Sequence, residues 1–294
     1  MYFDKHTQYK FKKNDSVAII ICGMIREWQL CADSFYENFI KPNKSNLDID
    51  IFLITYDVTD RYETNRKQKD LIHNDEFDNL KKQFNTDNLH IQNFIESKEE
   101  ILNYMNSIDN TPLHISSNRT QRNFLETIYM QTYLLKKSLS FINSKNKNYD
   151  CVIRTRFDIL YDERTIIPNE IMVNSVYNLP FKSNQNFVDN CFFGDFESMK
   201  KMLSSYDFLL ENPNSTVRES SNYVHYPYVE NLFLQILEDE KINCITKERW
   251  KLSILRDKNN YNFIPRLKLY GQRHSPASIK LNFPPSAIEK LSLK

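Results

Sequence analysis

Val17-Ala18-Ile19-Ile20-Ile21-Cys22 is an unbroken apolar run that ends on Gly23, and no other stretch narrows the folding choices of this chain so far. Six consecutive apolar residues suit a strand covered on both faces, which is the environment of a parallel sheet packed between helices. The period then changes. Trp28, Cys31, Phe35 and Phe39 recur at spacings of three and four, which predicts an amphipathic helix over residues 25–40, stopped by Pro42. Strand, glycine turn and helix form the first half of a βαβ unit, and the pattern repeats. Strands are expected at 49–55, 89–94, 150–161 and 190–194, with helices at 98–105, 120–144, 196–210 and 228–240. Residues 61–87 are charged and read as a solvated helix and loop, and 211–226 as a polar loop. This alternation predicts an α/β fold with a mostly parallel central sheet flanked by helices.

With 294 residues the chain can bury a large core in a single domain. Its 39 basic and 38 acidic residues nearly cancel, so there is no global field for nucleic acid or an anionic membrane, and any anion must be held by a local site. Cys22, Cys31, Cys151, Cys191 and Cys244 are scattered and odd in number, which reads as reduced thiols and a cytoplasmic setting. No stretch approaches the roughly 20 apolar residues of a membrane span, and the start lacks a signal-like apolar core. Only Gly23, Gly194 and Gly271 are glycine. Scarcity on that scale places the remaining glycines where a side chain would not fit.

The segment Arg154-Thr155-Arg156-Phe157-Asp158 puts charge into an otherwise buried strand, which requires a reason. If the strand stays regular, Arg154, Arg156 and Asp158 project to one side. Two guanidiniums suit a phosphate group and the charge on a departing diphosphate, and Asp158 suits a hard divalent ion such as Mg²⁺ or Mn²⁺. Spacing alone leaves a buried ion-pair network equally open. Cys22, Gly23 and Arg26 follow one strand and Asp57 follows another, where open parallel sheets bind ligands. Glu230 stands near the start of a helix, either answering the helix dipole or serving as a general base, and Asp189 is a second candidate base. His274 is a candidate metal or diphosphate ligand. No dinucleotide fingerprint, P-loop, nucleophile elbow, or zinc-type Cys or His motif is present.

Taken in order, these segments resemble GT-A type glycosyltransferases, in particular the bacterial and viral transferases of surface polysaccharides, over residues 16–275. The resemblance implies a Rossmann-like GT-A sheet with a smaller acceptor-side subregion. Residues 16–160 would form the half that binds a nucleotide-diphosphate sugar such as a UDP-sugar, 161–275 the acceptor-binding and catalytic half, and 276–294 a tail. It also implies transfer of a hexosyl or deoxyhexosyl group to a glycan hydroxyl with inversion. Asp57 would hold base and ribose, and 156–158 would take the place of the family's metal-binding Asp-x-Asp, with Arg156 where the first aspartate is expected. Val229-Glu230-Asn231 is similar to the x-Glu-Asp segment that supplies the base, and His274 to a late histidine of the metal and diphosphate site. Two alternatives remain, a nucleotidyltransferase on a similar sheet and a non-catalytic nucleotide-sugar-binding module.

Overall fold

The computed structural model describes residues 7–25, 28–63, 66–107, 119–179, 187, 189–216, 228–246, 250 and 252–254. Its strands are β1 (Gln8–Lys10), β2 (Asp15–Cys22), β3 (Leu47–Tyr56), β4 (Val58–Glu63), β5 (Arg66–Leu71), β6 (Leu89–Gln92), β7 (Cys151–Thr155), β8 (Ile159–Tyr161), β9 (Glu170–Met172), β10 (Ser175–Asn178), β11 (Phe192–Asp195), β12 (Asn243–Thr246) and β13 (Leu252–Ile254). Its helices are α1 (Trp28–Phe35), α2 (Lys41–Asn43), α3 (Asn74–Phe84), α4 (Phe94–Ser107), α5 (Arg119–Asn143), α6 (Phe196–Leu203), α7 (Ser205–Glu211) and α8 (Val229–Asp239).

Among the described residues, seven strands form the central sheet in the order β12-β10-β11-β7-β2-β3-β6. The pairs β7-β2, β2-β3, β3-β6 and β10-β12 are parallel, and only β11 runs against the rest. The expected α/β class with a mostly parallel, helix-covered sheet is what the chain adopts. Alternation along the strands explains the two covers. Ala18, Ile20, Phe52, Ile54 and Val152 pack with α4 to α8, whereas Val17, Ile19, Ile21, Leu53 and Ile153 pack with α1 and α3. Because both faces are sealed, the strands carry unbroken apolar runs.

Four local expectations are corrected. Pro42 does not stop the first helix: the chain widens into a π-helical turn at Tyr36–Ile40, where Lys41 N–H donates to Tyr36 O, and Pro42 lies inside α2 where its missing donor is tolerated. Residues 61–63 and 66–71 lie in the antiparallel β4-β5 pair rather than in a helix and loop. This ribbon stands outside the main sheet and carries no period-two apolar signal. The strand expected over 150–161 ends at Thr155, turns at 157–158, and resumes as β8, which pairs with β13. The helix expected over 196–210 is two helices that meet at Ser204.

Among the described residues no helix is long and apolar enough to cross a membrane. Gly194 shows why glycine is kept in β11, since a Cβ there would collide with the carbonyl oxygen of Ser175.

Candidate functional site

The chain starts the main sheet at β2, adds β3 and β6 on one side, and returns through α5 to place β7 on the other side of β2. Strand order therefore reverses between β2 and β7, and the crevice outside their carboxyl ends is the natural ligand position. Ile20 pairs with Arg154 and Ile21 with Thr155, so Cys22-Gly23 and Arg156 leave the sheet side by side. Gly23 has φ +142°, which favours glycine, and its N–H donates to Ile54 O at 3.1 Å, tying the turn to β3. The Cys22 side chain is buried, and burial raises its thiol pKa, so the residue lends position rather than a reactive group.

Arg154 lies on the face that packs with α5 and α8. It is only 2% exposed, its guanidinium is 5.6 Å from the Phe192 ring centroid, and its Nε and Nη1 have no hydrogen-bond partner among the described residues. Burial lowers its pKa, while Asp189 acts in the opposite direction. A sealed cation with idle donors is costly unless an anion completes it.

Arg156 is otherwise engaged. Its Nε donates to Asp158 Oδ1 at 2.8 Å and its Nη2 to Asp158 Oδ2 at 2.7 Å, while Nη1 donates to Asn190 Oδ1 at 3.3 Å and lies 3.6 Å from Asp189 Oδ2. Burial by itself would depress this guanidinium's pKa, yet Asp158 and then Asp189 hold it above its usual value. Asp158 thus joins Arg156 through the turn at 157–158, not through the strand alternation expected of a regular β segment.

Helix α5 contributes Gln131, whose Nε2 donates to Asp189 Oδ2 at 2.6 Å. Glu230, in the first turn of α8, completes the cluster. Its pKa is raised by burial first and by the Asp189 charge second, with Arg156 and Arg154 opposing. Asn231 fixes the start of that helix, because its Nδ2 and the Tyr228 N–H both donate to Thr216 O at 3.0 Å. An aspartate at 231 would set a carboxylate against that carbonyl.

Arg154, Arg156, Asp158, Asp189 and Glu230 are therefore brought together. Asp57 stands two strands away from β7, at the end of β3, where its Oδ1 caps α4 by accepting from Phe94 N–H at 2.8 Å. Arg26 and His274 lie outside the described residues. Sequence reasoning missed Gln131 and Asn190. Gln131 had a readable signal, a polar residue three after Ile128 and four before Leu135 on an apolar helix face.

The resemblance implies a divalent cation at Asp158, but the described donor set does not fit one. Both Asp158 oxygens accept from one guanidinium, and Asp158 is 2% exposed. A dication bound at Asp158 would have to displace the Arg156 guanidinium from both carboxylate oxygens. No three His, Cys, Asp or Glu side chains among the described residues are grouped to hold a metal.

No protein-family model matches the chain, and no curated protein matches it. Solved structures that match include a Drosophila β-1,4-galactosyltransferase 7 mutant in complex with manganese, UDP-Gal and xylobiose, at 9% identity and a TM-score of 0.35. The likeness covers 86% of this chain and 79% of that one.

Proposed function

We propose that the chain is a glycosyltransferase that moves a sugar from a nucleotide-diphosphate donor, such as a UDP-sugar, to a hydroxyl of a glycan acceptor with inversion. The observation that carries this reading is the meeting of two guanidiniums with Glu230 at the switch in strand order. Arg154 and Arg156 face the diphosphate and stabilise the charge it acquires on leaving. Glu230 takes the proton of the acceptor hydroxyl as its oxygen attacks the anomeric carbon. The bond from that carbon to the diphosphate oxygen breaks, and the nucleoside diphosphate departs with the electron pair. A base whose pKa is lifted toward neutrality is better matched to this task than an ordinary carboxylate.

Asp189 is the weaker candidate for the base, since Gln131 and Arg156 already hold it, and it serves to position Arg156. Asp57 and the Gly23 turn grip the nucleoside, with residues 16–160 serving the donor and 161–275 the acceptor. The test is to incubate the protein with nucleotide sugars and glycan acceptors and to assay nucleoside diphosphate release. Release that depends on acceptor supports transfer. Release of pyrophosphate from nucleoside triphosphates supports a nucleotidyltransferase instead. The closed Arg156-Asp158 pair favours one other reading, a nucleotide-sugar-binding module, which predicts thermal stabilisation by donor without turnover.

A further inference from the structure

We infer that Arg156, docked on Asp158, stands in for a divalent cation, so that the diphosphate site works with guanidinium charge alone. The inference rests on the proposed donor chemistry and adds what neutralises the donor. Its ground is the disagreement between the metal implied at Asp158 and the residues assembled there. A metal-binding carboxylate must keep oxygen lone pairs directed at an open position. Asp158 instead directs both oxygens at Arg156, at 2.8 Å and 2.7 Å, in the bidentate geometry that orients a guanidinium most firmly.

Charge accounting points the same way. An arginine in place of an aspartate changes the local charge by about two units, the charge a divalent ion would bring. Asp158 then serves to aim the resident cation, with Asn190 and Asp189 holding its remaining edge. One observation independent of that pair indicates an anionic ligand. Arg154, two residues away and 2% exposed, keeps Nε and Nη1 without hydrogen-bond partners among the described residues. A site built only as a structural ion pair leaves those donors unexplained. A diphosphate, with several acceptor oxygens, satisfies them and offsets the charge.

The probe is inorganic pyrophosphate, titrated calorimetrically into the full chain in EDTA and again with Mn²⁺, alongside Mn²⁺ alone followed by electron paramagnetic resonance. Wild type is expected to bind pyrophosphate with affinities that agree within about two-fold in the two conditions, and to show no tight Mn²⁺ site. Arg154→Met removes a buried charge and should fold at least as well as wild type. It is expected to bind pyrophosphate at least about ten-fold more weakly, as for a lost charge-assisted contact. Binding that requires Mn²⁺, or a tight Mn²⁺ site lost in Asp158→Asn, overturns the inference and leaves the glycosyltransferase reading standing. Unchanged affinity in Arg154→Met, or no pyrophosphate binding in either condition, overturns the inference as well. Metal-free pyrophosphate binding without binding of any nucleotide sugar upholds the anion site and removes the glycosyltransferase reading.

Discussion

Glu230 is where burial and chemistry meet most directly. As the proposed base with a raised pKa, Glu230 is expected to set the acid limb of the kcat/KM profile above the ordinary glutamate value of about 4.3, and Glu230→Gln is expected to lower transfer by about 10² to 10⁴-fold. The stability sign runs the other way. Between its unfolded and folded pKa values the native state keeps a proton that the unfolded chain gives up, so stability falls as pH rises through that window. Glu230→Gln removes this penalty, and its Tm at pH 8 should equal or exceed that of wild type. A variant that is inactive only because it is unfolded would contradict the assignment. The guanidiniums were legible in the sequence because charge in a buried strand is anomalous. Their partners were less so: Gln131 comes from α5 and Asn190 from the approach to β11, and only the fold brings Gln131 to Asp189 and Asn190 to Arg156.

Elements follow from how clean the periodicity is. β2 and β3 were readable within a few residues because burial on both faces leaves unbroken apolar runs, and α5 and α8 because their apolar positions recur with the one helical period. The β4-β5 hairpin was not, since a charged ribbon outside the main sheet has no apolar stripe to reveal it. The break after Thr155 also escaped, because Phe157, Ile159, Leu160 and Tyr161 continue the apolar character while entering a different sheet with β13. Element-scale packing gives two predictions. Gly194→Ala forces a Cβ against the Ser175 carbonyl where β11 pairs with β10, and should cost about 1–3 kcal/mol in urea unfolding. Asn231→Asp replaces the donor that ties α8 to Thr216 by an acceptor and should cost about 1–3 kcal/mol. Because α8 carries Glu230, its kcat should fall by more than KM rises. A loss confined to stability would leave Asn231 a purely structural tie.

Across the whole molecule, the candidate site follows from the order in which the chain lays down its sheet. Starting at β2, adding β3 and β6 on one side and returning with β7 on the other creates the reversal between β2 and β7. The residues after β7 meet the turn after β2 there, with α8 bringing Glu230 to the same charge cluster. The α/β alternation was visible in the sequence, and so was the pairing of the Gly23 turn with the Arg154-to-Asp158 segment. Hidden were the short flanking strands β1, β9, β10, β12 and β13, of three or four residues each, too short to carry a period. Transfer of sugar from a nucleotide-diphosphate donor in this crevice, as proposed, is tested by measuring nucleoside diphosphate release from a panel of nucleotide sugars with glycan acceptors. Wild type is expected to show acceptor-dependent release from at least one donor, lost in a folded Glu230→Gln variant. Equal release by that variant, or pyrophosphate release from nucleoside triphosphates with every sugar donor left intact, would contradict it.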